Sequence, residues 1–74
     1  MKYFAHIHTG EHDNGRPEIN IFTEDGQWTT KYRLTTGDHL LSALNILRGC
    51  GWTVYANIQR KGAGYHIVKV AEPA

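Results

Sequence analysis

The chain has 74 residues, 41% of them hydrophobic and 20% charged, with a formal net charge of +1. That length predicts a single small domain of marginal stability, with little room for a deep catalytic cleft. The near-neutral charge excludes the strong overall field that draws a protein to nucleic acid or an anionic membrane, and the lone cysteine, Cys50, excludes an internal disulfide and a cysteine zinc cage.

Residues 2 to 9 alternate, with Tyr3, Ala5, Ile7 and Thr9 against Lys2, Phe4, His6 and His8. A period of two predicts a strand with one buried face. GEHDNGRP, residues 10 to 17, reads as a loop. A second strand is expected over 18 to 24 with Ile19 and Ile21 inward, and Asp25-Gly26 signals a hairpin, because glycine accepts the positive φ of tight turns. The third strand, 27 to 35, is expected to put Trp28, Thr30, Tyr32 and Leu34 on one face and Gln27, Thr29, Lys31 and Arg33 on the other.

The period then changes. Asp38 is a good N-cap, Leu40, Leu44 and Leu47 recur at helical spacing beside Ala43, and Gly49 is placed to end the helix in a left-handed cap. Alternation resumes at 52 to 59, with Trp52, Val54, Ala56 and Ile58 against Thr53, Tyr55, Asn57 and Gln59. Arg60-Lys61-Gly62-Ala63-Gly64 reads as a turn. The last strand, 65 to 71, sets His66, Val68 and Val70 against Tyr65, Ile67 and Lys69, and the tail from Ala71 to Ala74 is expected to fray. The order β-β-β-α-β-β predicts an α+β fold: an antiparallel sheet of four to five strands, with one helix on one face and the other face largely in water.

The stretch HIHTGEH raises the question of metal binding. His6 and His8 share a strand face, and with His12 or Asp13 from the loop they would make an open three-ligand site of the kind a catalytic zinc uses. No HExxH or comparable signature accompanies them, and no metal or other cofactor is expected. The same face carries Phe4 and Phe22 among His6, His8, Glu18, Asn20, Lys31 and Arg33. Aromatic rings on an open sheet can stack bases while cations hold phosphates. The RNP1 pattern of RNA-recognition motifs is missing, and Glu18, Glu24 and Asp25 would repel phosphate. Aromatics mixed with Arg and His also suit a protein interface. Cys50, beside a helix C-terminus, reads as a structural thiol, since the dipole there disfavours a thiolate.

The segment ALNILRGCGWTVYANIQRKGAGYHIV resembles part of the HicA-type toxins, small ribonucleases with a fold like double-stranded-RNA-binding domains. Their motif is a helix, a Gly-aromatic pair, a strand, then a basic turn with the catalytic histidine just after it. Here Gly51-Trp52 follows the helix and Arg60-Lys61-Gly62 makes the turn. His66 stands four residues after that glycine instead of two, with no serine before it. Three strands precede the helix where that family has none. The resemblance implies a ribonuclease role for His66. Alternation alone makes His66 a partly buried histidine beside Val68 and Val70.

In size and element order the chain also resembles the short proteins that phages and mobile elements use to block host machinery, anti-CRISPR proteins among them. That resemblance is one of architecture. The expected function is therefore a non-enzymatic inhibitor or adaptor that binds a host protein or protein complex. RNA binding or a HicA-like ribonuclease is the alternative, and a homodimer through an exposed edge strand is a further possibility. The expected binding residues are Phe4, His6, His8, His12, Arg16, Phe22, Lys31 and Arg33. Neither a signal-peptide run nor a membrane span is evident, so a cytoplasmic location is expected, in the host if the chain is phage-encoded.

Overall fold

The structure is a computed structural model that describes residues 2–9, 17–34 and 40–73. Five strands, β1 (Lys2–His8), β2 (Glu18–Thr23), β3 (Trp28–Arg33), β4 (Thr53–Gly62) and β5 (Tyr65–Ala71), and one helix, α1 (Leu40–Gly49), follow in the order β-β-β-α-β-β. The strands make one antiparallel sheet ordered β3-β2-β1-β5-β4. The N-terminal strand therefore lies at the centre, and β3 and β4 are the edges.

The inward face follows from alternation. Ala5, Ile7, Ile19, Ile21, Val68 and Val70 are buried, and α1 lays Ala43, Leu44 and Leu47 into the same core with Leu34 and Trp52. The polar atoms at its border are satisfied. The Trp52 indole donates to the Tyr32 hydroxyl at 2.9 Å, and Thr9 donates its backbone N–H to the Gly64 carbonyl at 2.8 Å. Tyr3 packs edge-on against Trp52, with ring centroids 5.4 Å apart.

Several local expectations need correction. The helix stops at a Schellman motif centred on Gly51, not Gly49. Trp52 N–H bonds to the Leu47 carbonyl and Gly51 N–H to the Arg48 carbonyl, with Gly51 at φ +95°. Residues 60 to 62 continue β4, so the turn shrinks to Ala63-Gly64, with Gly64 at φ +68°. The C-terminal segment is anchored through residue 73: Ala71 closes β5, Tyr3 Oη donates to Glu72 Oε2 at 3.2 Å, and Pro73 lies against Gly51.

The largest correction concerns Trp28. Ile21 pairs with Thr30 but Phe22 pairs with Trp28, so Thr29 is an extra residue in β3. A one-residue bulge reverses the alternation beyond it. Trp28 is thereby carried off the core face and onto the open one, where it is 58% exposed. The Asp25-Gly26 hairpin forms as expected, with Gly26 at φ +93°. Asp38 lies outside the described residues.

Candidate binding face

The face that the helix leaves open is built around β1. Phe4 stands opposite Phe22 on one side and Lys69 on the other; His6 stands between Asn20 and Ile67; His8 stands between Glu18 and Tyr65. On β3, Lys31 faces Asn20 and Arg33 faces Glu18. Opposed residues of an antiparallel pair share a face. The register therefore brings together Phe4, His6, His8, Phe22, Lys31 and Arg33. His12 and Arg16 lie outside the described residues, as does Asp13.

Ring contacts link this face across β2, β1 and β5, and the register sets Trp28 of β3 beside them. Trp28 on β3 sits opposite Phe22 on β2. The Phe22 ring lies 4.5 Å from His6, and His8 stacks on Tyr65 at 4.4 Å with planes only 8° apart. His6 and Tyr65 also share a 2.8 Å contact between Nδ1 and the hydroxyl. The His6 pKa lies below the ordinary histidine value, chiefly because partial burial disfavours the cation and then because His8 stands beside it. The lowered pKa keeps the His6 ring uncharged near pH 7.

The polar groups form a second chain. Trp28 Nε1 donates to Asn20 Oδ1 at 3.2 Å, Asn20 Nδ2 donates to Glu18 Oε1 at 3.3 Å, and Lys31 Nζ lies 3.8 Å from Glu18 Oε2. This network fixes the indole and offsets the Glu18 charge. Glu24 and Asp25 sit in the β2–β3 turn, with Lys2 beside them in a shallow cleft. Among the described residues on the strands around the aromatic row, Lys31, Arg33 and Lys69 therefore stand against the single carboxylate of Glu18. A near-neutral chain carries a locally basic, aromatic face.

Trp28, Tyr65 and Lys69 are missing from the residues that alternation selects for this face. Trp28 is hidden by the bulge. Tyr65 and Lys69 join the face only because β5 pairs with β1, a long-range pairing that local periodicity does not specify. His66 lies on the opposite face, across from the core residue Ile7, with Arg60 as its β4 partner. It shares no surface with His6 and His8, and its basic neighbours stand on a strand instead of a turn. Cys50 is a free, exposed thiol.

Among the described residues, no three His, Cys, Asp or Glu side chains group as a metal site. No described helix is long and apolar enough to cross a membrane. No family model, no curated protein and no solved structure matches the chain.

Proposed function

We propose that this chain is a non-enzymatic binding protein whose open sheet face engages single-stranded nucleic acid. The observation that carries the reading is the ring row Trp28–Phe22–His6–Tyr65–His8, flanked by Lys31, Arg33 and Lys69. Every base has a π-face, so the exposed Trp28 and the half-buried rings beside it can stack bases regardless of sequence, while cations along the rim meet the phosphates. The objection from Glu18 weakens, because Asn20 and Lys31 both engage it.

The competing reading is the inhibitor or adaptor that docks the same face on a protein of the host. Exposed Trp28 and Arg33 favour it, since Trp and Arg dominate interface energetics. The two readings part on salt and nuclease. With Lys31 engaged by Glu18, the two cations Arg33 and Lys69 predict a slope of log affinity against log salt of about −1.4 for single strands. The test is fluorescence anisotropy with labelled single-stranded RNA and DNA, beside affinity capture from cells with and without nuclease. Salt-sensitive oligonucleotide binding that weakens in Phe22→Ala and Arg33→Ala supports the nucleic-acid reading. A stoichiometric protein partner that survives nuclease, with no oligonucleotide binding, supports the inhibitor reading instead.

A further inference from the structure

Beside the ring row, β1, β5 and β4 enclose a recess of about 200 Å³, lined by Phe4, Asn57, Gln59, Ile67 and Lys69. Its origin is a second irregularity in the sheet. Val54 pairs with Val70 and Ile58 with Val68, so Tyr55, Ala56 and Asn57 together face Lys69 alone. Two extra residues make the edge strand bow at that point, and bulges of this kind re-aim side chains beside binding sites. Gln59 stands opposite Ile67, and Phe4 opposite Lys69. The recess thus has apolar walls from Phe4 and Ile67, two carboxamides on the β4 side, and one ammonium.

The volume falls below the roughly 300 to 1,000 Å³ of sites for drug-sized ligands, so the recess suits a single planar ring system. The carboxamides are uncommitted. Neither Asn57 nor Gln59 has a side-chain hydrogen-bond partner among the described residues. Asn20, by contrast, spends its amide on Trp28 and Glu18 and is structural. An amide offers a donor and an acceptor in one plane, the complement of the adenine N6–H and N7 pair. Guanine presents two acceptors on the same edge, so meeting both takes an N–H from each amide and leaves both amide oxygens without a donor, whereas adenine uses an oxygen and an N–H together. Pyrimidines offer less ring area to Phe4.

We propose that this recess holds one adenine of the bound strand, with Asn57 and Gln59 reading its edge and Lys69 meeting the adjoining phosphate. The inference rests on the nucleic-acid reading of the open face and adds a base preference to a platform that otherwise has none.

The experiment compares short all-uridine oligonucleotides with the same strands carrying one central A, C or G, measured against the wild-type chain and an Asn57→Ala/Gln59→Ala variant. Both residues are exposed on an edge strand, so the variant is expected to keep the fold, checked by its melting curve. The expected result is a gain of fivefold or more for the central A alone, as one bidentate pair supplies. In the double variant that gain falls to within about twofold, while all-uridine affinity is unchanged. Equal affinity for all four strands, or an adenine preference that survives the double substitution, overturns the recess assignment and leaves the platform standing. Failure of every strand to bind overturns the platform reading and the recess with it.

Discussion

His6 and Tyr65 stand 59 positions apart in the chain and meet on the open face, Nδ1 to hydroxyl, at 2.8 Å. The same tyrosine ring lies nearly parallel to His8. One residue of β5 thereby orients both histidines of β1. Their His-x-His spacing is met by an aromatic hydrogen-bonding partner, which makes the pair part of a stacked surface.

The hydroxyl and the ring of Tyr65 do different work, and substitution separates them. Tyr65→Phe removes only the hydrogen bond, and a partly buried bond of this type contributes about 0.5–1.5 kcal/mol. Thermal or urea denaturation should show a loss of that size, with oligonucleotide binding kept within about twofold, because the ring remains. Tyr65→Ala removes the stacking partner of His8 as well and should lower affinity further. Equal affinity for the Phe and Ala variants would remove Tyr65 from the platform.

The two tryptophans offer a paired test of the bulge. Trp28 is mostly exposed and donates one hydrogen bond to Asn20, so Trp28→Ala should cost no more than about 0.5–1.5 kcal/mol. Its loss as a stacking surface should weaken single-strand binding by about 1–3 kcal/mol, or roughly 5- to 150-fold. Trp52 is buried in the core and bonded to Tyr32, so Trp52→Ala should cost about 3–5 kcal/mol. If Trp28→Ala unfolds the chain while Trp52→Ala does not, Trp28 faces the core and the register shift after Ile21 is wrong.

Glycines 49 and 51 should respond in opposite directions. Gly51 sits at φ +95°, and a Cβ there would lie 3.1 Å from the Cβ of Pro73. Gly51→Ala should therefore destabilise by at least about 1–2 kcal/mol, the usual cost of the left-handed conformation for an L-residue. Gly49 is helical, with open space where a Cβ would go, so Gly49→Ala should gain up to about 1 kcal/mol from helix propensity. Urea midpoints of the two variants check both signs. A stabilised Gly51→Ala would contradict the helix end described above.

Much of this fold is legible from period alone. Tyr3, Ala5 and Ile7 against Phe4, His6 and His8 announces β1, and Leu40, Leu44 and Leu47 announces α1, because both patterns repeat without interruption. Trp28 was hidden because its reversal depends on one unpaired residue, and nothing local in QWTTKYR marks Thr29 as that residue. Gly49 and Gly51 are both plausible stops by residue type. Only the hydrogen bonds from residues 51 and 52 decide between them. The candidate face was half legible for the same reason. Phe4, His6, His8 and Phe22 follow from their own strands, whereas Tyr65, Lys69 and the Asn57–Gln59 recess depend on which strands become neighbours.

The environment of His6 sets a pH dependence that differs from that of an exposed histidine. Burial and the neighbouring His8 hold its pKa below the ordinary value near 6.5. In the window between that depressed value and 6.5, the unfolded chain binds the proton and the folded chain does not. Stability therefore rises with pH across this window and falls as pH drops through it. The contribution from His6 is fully present above the unfolded value and is lost on acidification. Melting temperatures taken from about pH 7.5 down to about pH 5.5 should fall for the wild type more steeply than for His6→Gln, which has no proton to gain there. Parallel curves would mean that His6 titrates alike in the folded and unfolded chains, and that the ring is not desolvated between Phe22 and Tyr65. Binding should respond with the opposite sign, since a cationic His6 adds charge to a face already rimmed by Lys31, Arg33 and Lys69. Acidification below the depressed value, where the folded ring gains its proton, should tighten oligonucleotide binding more in the wild type than in His6→Gln.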